Sequence, residues 1–376
     1  MRVLLLTDSP NITTGYGNIA RNFALALRAA GHEPAFAATS HSGSRLEYVV
    51  PNGGPAFPHY NCIPVGRLAD AVRDFSPAIV LHIRDALAFI QKWWPPAYSV
   101  RGNAAGIPVW GWVPVQHETV PWEYVEAYHN EYARVLTYTP SGVDVLGNAG
   151  VVRNRLDWLM PGVSPSYGPD GPEARLGRPG VPLVMSAGVP DQDRKMFPYL
   201  MRAYREIRDE VDVDFYLHTS MVGAFDLPTH ARTLSVMGHW LFPLAHDKAL
   251  GMPEETLAGY YRRATAYATV STGEGLNMPL MEAAASGCAV VYTDLPPHVD
   301  VTEGYPDGLR FPVSTHPFPR NVSWERVPDV GDLARQLRLA VSAKRDPAAG
   351  RAYREAHSWA ATADRFLSIA RDAGVA

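Results

Sequence analysis

Residues 271–293 read Ser-Thr-Gly-Glu-Gly-Leu-Asn-Met-Pro-Leu-Met-Glu-Ala-Ala-Ala-Ser-Gly-Cys-Ala-Val-Val-Tyr-Thr. Glu274 stands in a glycine-flanked turn, and Glu282 follows eight positions later. Pro279 predicts the first position of a helix, where a residue without an amide donor loses nothing. Gly287 is placed to close that helix in the left-handed conformation. Ala289–Thr293 then reads as a short buried strand. A turn, a helix and a buried strand in this order form the repeating unit of a parallel α/β sheet. A helix that starts behind a glycine loop offers free backbone N–H groups to an anion such as a diphosphate. A carboxylate beside that anion suits hydroxyl groups better than phosphate. The plainer reading of Glu282 is a carboxylate that complements the helix dipole.

The same alternation runs through the chain. In the first half, strands are expected near Val3–Thr7, Pro34–Ala38, Ile79–His82, Pro108–Val113 and Val135–Thr139. After the first of them, Ile19, Phe23 and Leu27 recur at helical spacing and Gly31 stops the pattern. That helix begins behind Thr13-Thr14-Gly15-Tyr16-Gly17, a second glycine-flanked start soon after a strand. Residues 161–182 are rich in Pro and Gly without periodicity and read as a linker. A fresh α/β unit starts at Leu183-Val184-Met185-Ser186, with further strands near Phe215–His218, Ala266–Val270 and Ala289–Tyr292. From about Val330 the pattern is helical.

A chain of 376 residues fits about two domains. No apolar run reaches the roughly 18 residues of a membrane span. Cys62 and Cys288 are the only cysteines, too few for a disulfide framework, and they fit the cytoplasm. The formal net charge of −4 gives no broad basic surface for nucleic acid. Oligomeric state is not legible.

Glu274-x7-Glu282, with Gly-Leu-x-x-Pro-x-x-Glu-Ala and then Ser-Gly-x-x-Val, resembles the donor-site signature of retaining GT-B glycosyltransferases, especially family 4. The resemblance implies two doubly wound Rossmann-like domains facing a central cleft, with the C-terminal helix crossing back to the first. It places an acceptor domain at 1–160, joined by about 360–376, a linker at 161–182 and a nucleotide-sugar domain at 183–358. It is specific in 271–291, moderate in 187–198 and 1–31, and loose elsewhere. Pro161-Gly162-Val163 and His357-Ser358-Trp359 match the family's junction and last-helix segments loosely.

On this resemblance the reaction is transfer of a sugar, with retention, from a nucleotide-diphosphate donor to an acceptor hydroxyl. Glu282 would hold the ribose hydroxyls and Glu274 those of the donor sugar. Gly275, Leu276 and Asn277 would offer backbone amides to sugar and phosphate. Arg194-Lys195, on the loop after Ala187-Gly188-Val189, would stabilise the leaving diphosphate. The family pattern puts Arg directly after Gly, where this chain has Val189. His117, beyond the strand Pro108–Val113, would reach the donor sugar, and Glu118 would help to hold the acceptor. Gly15, Tyr16 and Gly17 would approach the diphosphate. No metal and no other cofactor is expected, because enzymes of this architecture use cations and helix dipoles.

Other chemistries find little support. Gly-x-Ser-x-Gly is absent. Gly15-x-Gly17 has Ala20 at the third glycine of a dinucleotide fingerprint. Asp212-Val213-Asp214 reads as a helix-to-strand boundary, and His129-Asn130-Glu131 lacks the cysteines of a zinc site. The acceptor stays open among glycan, lipid, small molecule and hydroxymethylated DNA base; the charge does not demand DNA. Aromatics near 40–76, at Trp93-Trp94 and at Trp122-Glu123-Tyr124 read first as packing. Donor base and sugar are likewise open, with the base contacts placed within 218–250. A phosphorylase or nucleotide-sugar hydrolase on the same fold, and a non-enzymic nucleotide-sugar-binding protein, are the alternatives.

Overall fold

The computed structural model describes the chain except residues 13, 40–45, 51–53, 63–66, 86–98, 117, 190–192, 244–251, 307, 318–323 and 376. It divides into two units, Met1–Gly162 with His357–Ala376, and Val163–Ala356.

The first unit is built on β1 (Arg2–Thr7), α1 (Gly15–Ala29), β2 (Glu33–Ala38), β3 (Leu46–Val49), β4 (Ala56–Asn61), α2 (Leu68–Phe75), β5 (Ile79–Ile83), β6 (Val109–Val113), α3 (Trp122–Glu131), β7 (Arg134–Thr137), α4 (Pro140–Ala149) and β8 (Leu156–Trp158). Its strands order as β3-β4-β2-β1-β5-β6-β7-β8. All neighbours pair parallel except β3 with β4. The central strands β1, β5 and β6 are apolar along most of their length because both of their faces are covered.

The second unit repeats the design with β9 (Leu183–Ala187), α5 (Phe197–Ile207), β10 (Asp214–His218), α6 (Leu227–Thr233), β11 (Trp240–Leu241), α7 (Glu254–Arg263), β12 (Ala266–Thr269), α8 (Met278–Ala285), β13 (Ala289–Thr293), α9 (Pro296–Thr302) and β14 (Gly308–Phe311). Its parallel sheet orders as β11-β10-β9-β12-β13-β14. A hairpin of β15 (Val313–Pro317) and β16 (Trp324–Pro328) precedes α10 (Val330–Ser342) and α11 (Pro347–Ala356). In both sheets the order reverses beside the first strand, between β1 and β5 and between β9 and β12. Loops that leave the carboxyl ends of such strands are where ligands settle in doubly wound sheets.

The last helix, α12 (Trp359–Asp372), belongs to the first unit. Ser358 caps it by accepting from the Ala361 amide. Phe366 on α12 meets Phe23 of α1 edge-on at 5.3 Å between ring centres, and Trp110 of β6 at 6.0 Å. Arg365 stacks over Trp158 and bonds Asp157 at 2.8 Å.

The Pro- and Gly-rich stretch after Gly162 is irregular but fastened to the second unit. Arg178 grips Asp214 through both its backbone and side chain, at 2.7 and 2.9 Å, and Asp212 at 2.6 Å. The Asp212-x-Asp214 pair is therefore an arginine clamp. Strands β3, β4, β8, β11, β14 and the β15–β16 hairpin go beyond the strands expected from sequence. They are mostly short or lie at sheet edges, where one-sided burial weakens the apolar signal.

Candidate active site

The helix anticipated at Pro279 starts one residue earlier. Asn277 is its N-cap, in the left-handed conformation at φ +79°, and its side chain accepts from the Leu280 amide. Met278 takes the first helical position and Pro279 the second, where the amide that proline lacks would have no intrahelical partner. Gly287 ends α8 at φ +78°, as expected.

Three charged side chains converge at the carboxyl ends of β9 and β12, which are neighbours in the sheet. Arg194 and Lys195 lie in a helical turn, Asp193–Lys195, after β9. Glu274 lies in the loop between β12 and α8. Lys195 Nζ donates to Glu274 Oε1 at 2.5 Å, and Arg194 Nη1 lies 2.5 Å from Oε2. Arg194 also donates to the Gly273 carbonyl at 2.5 Å, and the Thr272 amide returns a bond to the Arg194 carbonyl at 2.9 Å. The two loops are thus laced together. Lys195 and Glu274 are 8% and 5% exposed, so their charges meet in a low-dielectric setting.

Burial acts first on Glu274 and Lys195. It pushes the Glu274 carboxyl up, but Lys195 and then Arg194 outweigh it and hold the group down at about 2. Glu274 is a carboxylate at any ordinary pH. Burial lowers Lys195 from the usual lysine range, and Arg194 adds to this while Glu274 opposes it.

Glu282 is in a different environment. It sits on α8 and accepts from the Tyr261 hydroxyl of α7 at 2.9 Å through Oε2. Burial pushes its carboxyl up to about 7; the Tyr261 bond opposes this and Glu254 adds to it. The two glutamates are therefore held in opposite directions within one loop-helix segment.

Sequence reasoning missed a buried polar cluster under the same loop. Asn277 Nδ2 donates to Thr269 Oγ1 at 3.1 Å and faces His298 Nε2 at 3.0 Å. His298 Nδ1 faces the Thr293 carbonyl at 3.0 Å, and Thr293 Oγ1 donates to the Ser271 carbonyl at 2.6 Å. No local pattern marks His298, because its partners are brought to it by the sheet. The side chain of Asn277 is thus committed to structure; its expected contribution from sequence was its backbone amide.

The other candidates fall in the first unit. Thr14 caps α1 by accepting from Gly17 N at 3.0 Å. A methyl group on Gly17 would come within 2.6 Å of the Ile12 carbonyl oxygen, so the turn needs glycine. Gly15 is exposed at the helix start. Burial, with Asp85 next, raises the Tyr16 phenol above its usual range. Nearby, Asp8 holds Thr14 Oγ1 at 2.9 Å and Arg84 at 2.8 Å, another cluster without a sequence signal. Glu118 is exposed. His117, Trp93-Trp94 and residues 244–250 of the segment assigned to the base lie outside the described residues. Among the described residues, no group of three His, Cys, Asp or Glu side chains is placed to hold a metal ion, and no helix is long and apolar enough to cross a membrane.

Residues 181–317 match the family model "Glycosyl transferases group 1". A search of the curated proteins found no match. Among solved structures, sucrose-phosphate synthase from Thermosynechococcus elongatus is similar at 15% identity and TM-score 0.70, with 99% of each chain covered. HepE from Anabaena, in complex with UDP-glucose, is similar at 11% identity and TM-score 0.65, covering 99% of this chain and 100% of that one. The catalytic domain of starch synthase IV from Arabidopsis thaliana, bound to ADP and acarbose, is similar at 11% identity and TM-score 0.63, with 98% of each covered. The chain accordingly has the α/β fold of the GT-B glycosyltransferases, and its residues 181–317 are similar to the group 1 glycosyl transferases.

Proposed function

We propose that the chain is a retaining, family 4-like glycosyltransferase that moves a sugar from a nucleoside-diphosphate donor to an acceptor hydroxyl. The observation that carries this reading is the convergence of Lys195, Arg194 and Glu274 at the carboxyl ends of β9 and β12, beside the start of α8. Fixed cations at that place stabilise the charge that grows on a departing diphosphate. They supply it without a metal ion. The bond between the anomeric carbon and the phosphate oxygen breaks as the acceptor oxygen bonds the same face. The acceptor proton passes to the leaving phosphate.

Glu274 pairs with both cations in this structure, so a diphosphate and Glu274 compete for the same donors. On binding, the diphosphate takes over Lys195 and Arg194, and Glu274 turns to the sugar hydroxyls. Glu282 accepts from the ribose hydroxyls, and amides of Gly275, Leu276 and Asn277 face sugar and phosphate. The first unit receives the acceptor, and Gly15, Tyr16, Gly17, His117 and Glu118 are its candidate substrate-binding residues. The acceptor is a hydroxyl-bearing molecule whose class the site leaves open. HepE in complex with UDP-glucose supports a nucleotide sugar as donor. Two free, buried thiols support a cytoplasmic setting.

Thermal-shift titration with UDP, GDP and ADP and their glucose conjugates tests the donor, since a ligand that binds only the folded chain raises its melting temperature. One base is expected to stand out. Mass spectrometry with an acceptor panel then reads sugar transfer. Lys195→Met, which keeps the packed stem and removes the charge, is expected to lower turnover by about 100-fold or more. Wild-type turnover of the folded variant would remove Lys195 from the mechanism. Sugar release without acceptor would indicate a hydrolase instead.

A further inference from the structure

Asn277 holds a backbone conformation that a side chain resists, at a cost on the order of 1 kcal/mol or more. Its side chain supplies the compensation. Oδ1 is used by the Leu280 amide at 3.3 Å, so Nδ2 must be the end that meets Thr269 Oγ1 and His298. Nδ2 has only protons to offer. His298 Nε2 must therefore accept, and the imidazole proton must sit on Nδ1, against the Thr293 carbonyl at 3.0 Å. His298 is fully buried, and both of its ring nitrogens have protein partners. Thr293 in turn bonds the Ser271 carbonyl. The loop that carries Glu274 is thus tied at both ends, Ser271 and Asn277, to one neighbouring segment, Thr293–His298. Pro296 and Pro297 fix the backbone just before the ring.

We propose that His298 is a positioning residue for the donor. It accepts from Asn277, holds the left-handed turn that starts α8, and so sets the loop 271–277 for a nucleoside-diphosphate sugar. The proposal rests on the donor reading above for its ligand, and on the hydrogen-bond geometry alone for the role of the ring.

His298→Phe keeps a ring of similar size and removes the acceptor. His298→Gln keeps an acceptor near the Nε2 position. Both variants and the wild type are titrated with UDP, GDP and ADP and their glucose conjugates, and assayed for transfer. In His298→Phe the Kd of the conjugate that binds the wild type should rise about tenfold or more, as for a buried donor left unsatisfied. KM should rise more than kcat falls, and His298→Gln should return Kd to within about threefold of wild type. Folded His298→Phe with wild-type affinity overturns the proposal. Histidine ¹⁵N NMR of the wild type decides the case even where His298→Phe does not fold. The proposal requires the Nδ1–H tautomer, and an Nε2–H tautomer overturns it. Should none of the six nucleotides shift the wild type, the donor reading fails while the tautomer still judges the network.

Discussion

Glu274 is buried and Glu282 half-buried, and their carboxyls are held at about 2 and about 7. The difference comes from neighbours. Glu274 has two cations, and Glu282 has one phenol hydroxyl. This gives Glu282 a stability signature. Its carboxyl normally titrates near 4.5, so between 4.5 and 7 the folded chain keeps a proton that the unfolded chain has released. Stability from this group therefore falls as pH rises through that window, and the full penalty is present above 7. Glu282→Gln removes the penalty. Its stability advantage over wild type should open between pH 4.5 and 7 and reach about 3 kcal/mol at pH 8. Urea unfolding at pH 4.5, 6 and 8 checks this, and a gap that does not grow with pH would contradict it. Glu274 has the opposite sign. Its ion pairs stabilise above the ordinary carboxyl range and are lost only as pH falls toward 2.

At the scale of elements, α12 depends on contacts that its own sequence does not announce. Its apolar spacing predicts a buried face, but not that Phe366 meets Phe23 and Trp110. Phe366 is fully buried. Phe366→Ala should cost about 3–5 kcal/mol. The loss should appear in the melting of the first unit, read by hydrogen exchange on β1 and β6, with β9 and β12 spared. Equal loss of protection in both sheets would show the two units unfolding as one. The central strands were legible because continuous apolar runs such as Val3-Leu4-Leu5-Leu6 have one good explanation, burial on both faces. β8 and β11, of three and two residues, are too short to carry a period. The site was legible in part. The motif at 271–291 located Glu274, and the loop after β9 located Lys195, but their contact spans 79 positions and only the parallel pairing of β9 with β12 creates it. Through that contact Glu274 is the counter-ion of Lys195 and Arg194 in this structure. His298 left no trace, since a single histidine after two prolines has no spacing to read.

The whole molecule has a connectivity that differs from its order in sequence. The chain leaves the first unit at Gly162 and returns to it at His357. The two crossing points touch: a methyl group on Gly162 would lie 2.5 Å from the Trp359 amide nitrogen. In genetic terms the second unit is an insert within the first. It can be excised as one piece, and the ends left behind need only a short splice. Residues 163–356 expressed alone should fold and, on the donor reading, retain the thermal shift with the same nucleotide as the whole chain. An insoluble or unstructured fragment would show that the insert depends on its host. On the ribosome the order is forced. The inserted unit is complete at Ala356, only three residues before α12 begins at Trp359, so the insert and the helix that closes its host are finished almost together.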